Sequence, residues 1–355
     1  MCLVGTIGAS ILRRMPARIY TDRDADLKFL GGKTCAVIGY GAQGRAQALN
    51  LKDRGMRILV GLPERSKSRR IALKEGFEVV STVEASRRGQ IIFLAVPDAK
   101  MPAIYEKEVA PALSAGKTLL LAHGFAIFYR TFVPPKDVDV IMVAPKALGP
   151  MVRREFILGR GVPALFAVSQ NPTKQGKKTA LAWAKAIGCT RAGVIETTFR
   201  DETETDLFGE QAVLCGGLSA LIRAGFETLT SAGYAPELAY FECLHELKFI
   251  VDLIHEAGID GMRSFISETA KWGDLSVGPR IIDRAVQKKM KVVLREIQSG
   301  KFARDWFRET KDGRKHYTKL LAESQHHPIE KVGSRLRGLM SWKAKTKLAR
   351  RHDGA

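Results

Sequence analysis

The sequence contains no run of about 18 uncharged apolar residues, which is the length that a helix needs to cross a bilayer. It also lacks the order of a secretory signal, because the apolar segment Met1–Leu12 precedes the basic pair Arg13 and Arg14. Its five cysteines show no two-residue spacing typical of a zinc or redox pair, and an unpaired set suits a reducing compartment. We therefore expect a soluble, cytoplasmic protein that has no membrane association.

Acidic residues are scarce relative to basic ones, with 37 Asp and Glu against 57 Lys and Arg, for a formal net charge of +20. The positive electrostatic field of such a protein attracts anionic substrates, cofactors or nucleic acid. Much of the excess lies in residues 341–355, which we interpret as a solvated basic tail. A nucleic-acid-binding protein is an alternative, but the chain has no recognition motif and no interleaved aromatic residues, so we expect no such partner.

The length of 355 residues predicts two domains, because single cores seldom grow beyond about 250 to 300 residues. From Thr34–Ile38 to Gly193–Glu196, short β-branched runs alternate with helical segments. This alternation predicts an α/β, Rossmann-like, doubly wound and mainly parallel sheet with ligand sites at the carboxyl ends of its strands. From about Phe199 onward, the apolar residues recur with the periodicity of a helix. The predicted organisation is an N-terminal extension at 1–17, a dinucleotide-binding domain at 18–198, an all-α domain at 199–340 and the basic tail.

Four long helices are predicted in the second domain from their apolar periodicity: Leu207–Ser231, Ala235–Ala257, Met262–Trp272 and Arg280–Ser299.

A glycine-rich loop follows the first strand directly and opens a helix: Gly39-Tyr40-Gly41-Ala42-Gln43-Gly44. The first glycine permits a tight turn, the second lets the backbone approach a pyrophosphate, and the third lets helix and strand pack closely. The helix N-terminus adds free N–H groups and partial positive charge. The loop therefore predicts binding of a dinucleotide cofactor.

The second strand lacks the terminal Asp or Glu that selects NADH by binding the ribose hydroxyls. Arg65, Ser66, Lys67 and Ser68 follow instead and offer positive charge and hydroxyl groups to a 2′-phosphate, so NADPH is the predicted cofactor. Two alternatives stay open: the segment is a solvated basic loop, or Glu64 contacts a ribose.

Two pairs of carboxylates stand four residues apart in apolar surroundings, Asp206 with Glu210 and Glu242 with Glu246. On a helix each pair shares one face and repels, which a divalent cation relieves. All-oxygen ligands, without paired His or Cys, favour Mg²⁺ or Mn²⁺ over Zn²⁺. The alternative is a solvated face, or ion pairs with Lys248 and Arg223.

Three further polar residues are candidates with ordinary structural alternatives. Two of them, His123 and Lys146, each follow a predicted strand, at the end of the sheet where loops contact a cofactor. The alternatives are that the histidine is structural and that the lysine merely caps its strand. Ser267 falls in a predicted helical stretch, where a hydroxyl usually bonds its own backbone.

Several of these segments together resemble ketol-acid reductoisomerase, and the similarity runs from Ile19 to Leu339. The single helical domain resembles the short-chain class of that family. The segments that carry the resemblance are the glycine-rich loop, Ala122–Phe125, Ala144–Lys146, Glu202–Gln211, Cys215–Gly217, Tyr240–Glu246, Gly273-Asp274, Gly278-Pro279 and His327–Gly333.

The resemblance implies a role for each candidate. Asp206 and Glu210 correspond to ligands of two Mg²⁺ ions, Glu242 and Glu246 to carboxylates supplied by the other subunit, and Ser267 to a substrate contact. His123 matches an active-site histidine, Lys146 is expected to aid the metal-bound water, and Glu246 is our choice for proton transfer. The residues matching cofactor contacts are Tyr40, Gly41, Ala42, Gln43, Ser66, Ser68, Asp98, Ala99, Lys100, Met101 and Gly149. Because Pro63 stands where many members of the family have an arginine, Arg65 or Arg69 would have to serve the 2′-phosphate.

The implied reaction is an alkyl migration in 2-acetolactate or 2-aceto-2-hydroxybutyrate, followed by NADPH reduction to a 2,3-dihydroxy acid of valine, leucine and isoleucine biosynthesis. The family's helical domain is knotted with its partner, so the resemblance implies at least a homodimer, with a dodecamer as the larger assembly. The nearest rival is a 3-hydroxyacid or imino-acid dehydrogenase, which needs no metal.

The sequence departs from the family pattern around the cofactor. Pro63 replaces a common arginine, and Ala42, Arg45 and Gln47 replace a more usual Ser and two His. The run 147–150 replaces a usual Gly-Pro-Gly-His sequence after Lys146. None of these changes removes a predicted metal carboxylate.

Overall fold

The computed structural model describes residues 17–340, so the basic tail and all but the last residue of the N-terminal extension lie outside the described residues. The described chain forms two compact units that divide between Thr205 and Asp206. This division falls inside the helix Phe199–Gly209, seven residues after the domain boundary predicted at Phe199.

The first unit is built on a nine-stranded sheet with the order β1-β9-β8-β7-β6-β5-β2-β3-β4. All neighbours are parallel except β1 with β9 and β7 with β8, so the predicted doubly wound, mainly parallel sheet is confirmed. The chain changes direction across the sheet between β2 and β5, which is where such folds bind ligands. The strands are β1 Ile19–Tyr20, β2 Thr34–Ile38, β3 Arg57–Gly61, β4 Glu78–Val80, β5 Ile91–Leu94, β6 Thr118–Leu121, β7 Asp139–Pro145, β8 Ala164–Gln170 and β9 Val194–Glu196.

Helices cover both faces of this sheet, and the alternating side chains of each strand enter two separate cores. In β2, Val37 joins the core that contains Trp183, while Ile38 joins the core that contains Met101. Strands buried on both faces explain the near-continuous apolar runs in the sequence. The helices are α1 Ala42–Asp53, α2 Lys67–Lys74, α3 Thr82–Arg88, α4 Met101–Ile104, α5 Phe125–Phe128, α6 Gly149–Ile157 and α7 Gly176–Ala186.

Helix α8, Phe199–Gly209, connects the two units, and the second unit is helical, as predicted. Two of its segments, Glu210–Leu214 and Phe241–His245, are π-helical turns between α-helices. The remaining helices are α9 Gly216–Ser231, α10 Pro236–Tyr240, α11 Leu247–Arg263, α12 Glu268–Ile281, α13 Arg284–Gln298, α14 Lys301–Lys311, α15 Lys315–Gln325 and α16 Pro328–Leu339.

Two of the predicted helices are wrong in their bounds. The prediction Met262–Trp272 spans a break, because the backbone of Ser267 is extended and its Oγ accepts the Ala270 N–H as the N-cap of α12. The prediction Arg280–Ser299 is divided in the same way by Asp283, whose carboxylate caps α13. In both cases a short polar side chain satisfies the first N–H groups of a new helix, which periodicity alone does not reveal.

The second unit buries few side chains among its described residues. Its core consists of Phe226, Ala239, Tyr240, Ile329 and Leu336, whereas many large apolar side chains are exposed. The stretch Phe199–Ser231 is long and apolar enough to span a membrane by length and composition, with a mean hydropathy of 1.3 and only 6% of its most apolar window buried. The exposed set includes Val213, Leu214, Leu221, Tyr234, Phe249, Phe265, Trp272 and Leu275.

Candidate active site

The glycine-rich loop lies at the carboxyl end of β2, beside the end of β5. A Cβ atom on Gly39 would stand 2.5 Å from the Ala95 carbonyl oxygen, and one on Gly44 would stand 2.5 Å from the Gly39 carbonyl oxygen. Both positions therefore exclude a side chain. A Cβ on Gly41 would meet nothing within 4 Å, which leaves the backbone open for a ligand. No side chain caps the first turn of α1, so its N–H groups face this open space and suit a pyrophosphate.

The other predicted cofactor residues lie on neighbouring strand ends of the same unit. Asp98, Ala99 and Lys100 form the turn after β5, and Met101 begins α4. Gly149 begins α6 after β7, and a Cβ on it would stand 2.1 Å from the Ala42 carbonyl oxygen. The structure thus brings the loops after β2, β5 and β7 together at one edge of the sheet.

The predicted 2′-phosphate segment begins α2. Ser66 is the N-cap residue, yet its hydroxyl makes no capping hydrogen bond, and both Ser66 and Ser68 are half-buried. Arg65 is exposed. Arg69 has a structural role, because its guanidinium donates to the Val79 carbonyl oxygen at 3.0 Å and so holds the loop to β4. Ser66, Ser68, Arg65 and the exposed Lys67 are available to receive a phosphate here.

Tyr40 in the glycine-rich loop is held by a carboxylate on α2's C-terminal side. Its hydroxyl donates to Glu75 at 2.6 Å, and Arg45 Nε donates to the same carboxylate at 2.9 Å. Burial raises the pKa of Glu75, but the hydrogen bonds from Arg45 and Tyr40 outweigh it and hold the pKa below its usual range. Burial and the bond to Glu75 raise the pKa of Tyr40, so its hydroxyl stays protonated as the donor.

We expect Glu75→Gln to lower the free energy of unfolding at pH 7 by about 0.5 to 1 kcal/mol, because Arg45 is partly exposed and solvent weakens the pair. The native-state pKa is depressed, so the stabilisation is full above the unfolded value of about 4.3 and disappears as pH falls through the native value. Urea denaturation of wild type and variant at pH 7 and near pH 4 measures this. The exposed Glu106→Gln is the control, and a difference that persists unchanged in acid would contradict the assignment.

A buried carboxylate binds three hydrogen-bond donors that follow the carboxyl ends of β6 and β7. Glu202 in α8 accepts hydrogen bonds from His123 Nδ1 at 2.9 Å, from the Gly124 N–H at 2.8 Å and from Lys146 Nζ at 2.9 Å. Its side chain is 1% exposed, whereas those of His123 and Lys146 are 22% and 31% exposed. Gly124 allows the approach, because a Cβ there would stand 2.5 Å from the Phe199 carbonyl oxygen. The two predicted residues, His123 and Lys146, therefore meet on one carboxylate.

The charge of Glu202 is stabilised in spite of its burial. Desolvation raises the pKa of this carboxyl, but the hydrogen bond and charge of His123, together with Lys146, hold the pKa below its usual range. An ionised carboxylate can only accept, so His123 Nδ1 is the donor in this hydrogen bond, and when the ring is neutral its Nε2 is the acceptor. Glu202 thus fixes the orientation of both an imidazole and an ammonium group at the carboxyl ends of β6 and β7.

Sequence reasoning gave Glu202 no role, although a signal was present. Glu202, Asp206 and Glu210 follow one another at intervals of four, which continues the spacing of the predicted pair by one more turn. Asp206 is half-buried on α8, one turn after Glu202, and Glu210 is exposed at the start of the π-helical turn. What the spacing could not show is that Glu202 is turned inward against His123 and Lys146.

The second carboxylate pair, Glu242 with Glu246, belongs to no cluster of metal-ligand atoms among the described residues of the single chain. Glu242 and Glu246 are exposed, and neither forms an ion pair with the cations named as the alternative. Lys248 pairs with Asp252 instead, and Arg223 donates to Ser324. Within residues 17–340, no cluster of metal-ligand atoms contains Glu210, Glu242 or Glu246. One copy of the chain therefore does not assemble the four predicted metal carboxylates by itself.

Comparisons with known proteins agree with both units. Residues 29–193 match the acetohydroxy acid isomeroreductase NADPH-binding domain, and residues 199–342 match the ketol-acid reductoisomerase C-terminal domain. An NADH-preferring ketol-acid reductoisomerase from an uncultured archaeon is 47% identical, with a TM-score of 0.89 over 91% of this chain and 99% of that one.

A more distant structure shares the fold alone. It is a semialdehyde dehydrogenase NAD-binding protein from Cupriavidus necator, 19% identical with a TM-score of 0.56 over 75% of this chain and 99% of that one. With both domain models matched and 47% identity over nearly the full length, the chain belongs to the ketol-acid reductoisomerase family.

Proposed function

We propose that this enzyme catalyses a Mg²⁺-dependent alkyl migration in 2-acetolactate or 2-aceto-2-hydroxybutyrate and then reduces the product with NADPH to a 2,3-dihydroxy acid. The observation that carries the proposal is the Glu202 cluster with His123 and Lys146, which shares a sheet edge with the dinucleotide loop. Asp206, the first of the four proposed metal ligands, lies one helical turn after Glu202. A metal-independent dehydrogenase has no need of this series of acids.

The carboxylates fit a hard divalent cation. Asp206 and Glu210 would hold two Mg²⁺ ions from one chain, and Glu242 and Glu246 would do so from a partner, because all four offer only oxygen atoms. When bound, the ions supply Lewis-acid polarisation of the substrate's neighbouring oxygens, the chemistry that an alkyl shift between two oxygen-bearing carbons needs. The nicotinamide supplies the hydride for the reduction.

The chain's own residues orient the substrate and manage protons. Lys146 presents an ammonium group that Glu202 holds in place, and His123 presents a ring whose tautomer Glu202 selects. Ser267 Oγ accepts a backbone N–H, so its O–H remains a donor for a substrate oxygen. Glu246, an exposed carboxylate in one chain, is our candidate for proton transfer in the assembled site.

NADPH is the proposed cofactor, although the solved relative prefers NADH. Support comes from the uncapped Ser66 hydroxyl, from Ser68 and from exposed Arg65, all at the N-terminal end of α2. This end of a helix favours the charge of a 2′-phosphate. Pro63 removes one family arginine from the site, so we expect a preference for NADPH that is moderate rather than strict.

Self-association explains the exposed apolar surface of the helical unit. Side chains such as Leu214 and Trp272, at 66% and 73% exposed, belong in a core or an interface. We propose a homodimer with knotted, interlocked helical domains, able to assemble further, in which each copy completes the other's carboxylates. In this arrangement the Phe199–Ser231 stretch is covered by protein, and the enzyme works in the cytoplasm without a membrane or nucleic-acid partner.

The dimer is tested by light scattering coupled to size exclusion. We expect at least twice the 39.1 kDa of one chain at micromolar concentration, without detergent. A stable monomer that retains full activity would contradict a site whose carboxylates come from two chains. A protein that stays soluble only in detergent would indicate instead that the Phe199–Ser231 stretch spans a membrane.

The function is tested with purified wild-type enzyme by following cofactor oxidation with 2-acetolactate. We expect turnover with Mg²⁺, loss of turnover in excess EDTA, recovery on adding Mg²⁺, and a higher kcat/KM with NADPH than with NADH. Turnover that survives EDTA would favour the dehydrogenase alternative. A higher kcat/KM with NADH would overturn the NADPH assignment alone.

A further inference from the structure

We propose that Gln47 is a positioning residue that holds the loop between β7 and α6 against the dinucleotide loop. The proposal rests on the function proposed above and adds a part to its site. Gln47 is 0% exposed in α1 and is not one of the residues expected to contact the cofactor. It acts through Gln43, the neighbour one turn earlier in the glycine-rich loop.

Three hydrogen bonds form a directed chain. The Trp183 indole Nε1 donates to Gln47 Oε1 at 2.8 Å, Gln47 Nε2 donates to Gln43 Oε1 at 3.2 Å, and Gln43 Nε2 donates to the Ala147 carbonyl oxygen at 2.9 Å. An indole can only donate, which makes the facing atom of Gln47 its oxygen. With its oxygen toward the indole, Gln47 presents its NH₂ group to the oxygen of Gln43. Gln43 in turn presents its NH₂ group to the Ala147 carbonyl oxygen, so both amide orientations are fixed.

The loop held by this chain lies between the two halves of the site. Lys146, the residue before Ala147, reaches Glu202 at 2.9 Å. Gly149, two residues after Ala147, approaches α1 so closely that a Cβ would stand 2.1 Å from the Ala42 carbonyl oxygen. A shift of the loop toward α1 therefore collides with the dinucleotide loop, and a shift away from α1 opens the space beside Gly41.

The anchor at the other end of the chain is rigid. Trp183 is 0% exposed in α7 and packs edge-on against Phe93 of β5, with ring centroids 5.4 Å apart. Gln47 thus transmits the position of a core side chain to Gln43 and from there to Ala147.

The test uses Gln47→Leu, which keeps the volume of the side chain and removes both polar atoms. Gln43 then loses its fixed orientation and Ala147 its support, so we expect the dissociation constants for NADPH and NADH to rise about tenfold. The KM for the cofactor should rise with them, whereas kcat at saturating cofactor falls less than threefold. Calorimetric titration measures binding without substrate, and circular dichroism verifies folding.

Two further variants separate positioning from stability. Gln47→His keeps one acceptor and one donor in a neutral imidazole, and we expect its cofactor affinity to be within threefold of wild type. Leu181→Ala removes buried volume from the same helix as Trp183 and should lower the thermal midpoint at least as much as Gln47→Leu does. Because Leu181→Ala leaves all three hydrogen bonds of the chain in place, we expect its affinity for NADPH also within threefold of wild type.

The outcomes distinguish the two proposals. Folded Gln47→Leu protein that binds NADPH as tightly as wild type would show that Gln47 only stabilises the fold. Equal loss of affinity in Leu181→Ala and Gln47→Leu would show a general packing effect, and either result overturns the positioning role while the proposed function stands. Wild-type protein that binds neither dinucleotide would overturn the proposed function itself.

Discussion

Asp206→Asn is expected to reduce turnover of 2-acetolactate with NADPH and Mg²⁺ by more than about a hundredfold, because even the outer partners of metal ligands are commonly worth 10- to 100-fold. The amide keeps the size of the side chain but removes the negative charge that a hard cation requires. Steady-state oxidation of NADPH measures the loss. Binding of NADPH without metal should stay unchanged, because the cofactor loops lie after β2, β5 and β7.

The matched control is Asp201→Asn. Asp201 lies in the first turn of the same helix, but its side chain is exposed, so removal of its charge should leave activity within a factor of about two. Equal loss of activity in the two variants would indicate a general electrostatic effect of α8. Full activity of folded Asp206→Asn would overturn the metal assignment of this carboxylate.

Glu202→Gln is expected to have the largest effect on stability and a strong effect on activity. The new amide offers one acceptor oxygen and places an NH₂ group against donors, so at least one of Lys146, His123 and the Gly124 N–H loses its partner. Breaking a buried charge pair costs about 3 to 5 kcal/mol, and the partial exposure of Lys146 and His123 favours the lower figure. Urea denaturation at pH 7 and kcat with 2-acetolactate measure the two effects.

Glu155→Gln provides the control for this change. Glu155 on α6 is also held by two cations, Arg154 and Arg160, but their side chains are 61% and 63% exposed and can be solvated when the pairs are lost. We expect a much smaller loss of stability than for Glu202→Gln and near-normal kcat. If Glu202→Gln behaved like this control, Glu202 would not be the residue that orients His123 and Lys146.

The dinucleotide loop was predictable from the sequence because its requirements are local. Gly39 and Gly44 stand where a Cβ would strike backbone atoms of the adjoining strand and turn, so the glycines and their spacing specify the conformation. The alternation of strands and helices could also be predicted from the sequence, because strands buried on both faces need continuous apolar runs. The helix breaks at Ser267 and Asp283 were missed, since a polar cap inside an apolar period leaves the period almost unchanged.

Glu202 marks the limit of such reasoning. Three carboxylates at intervals of four are visible in the chain, but their spacing does not tell which of them is buried. The answer depends on His123 and Lys146, which lie 79 and 56 residues away in sequence and approach only when β6 and β7 pair side by side.

The sequence by itself determined the α/β and helical halves of this enzyme, its dinucleotide loop and its family, because each depends on residues that are close along the chain. Only the tertiary structure decided which carboxylate holds the histidine and lysine, how Gln47 is linked through Gln43 to Ala147, and how much apolar surface the helical unit leaves exposed. Those features depend on burial and on contacts between distant segments, whose energies arise only once the sheet and its helices have packed.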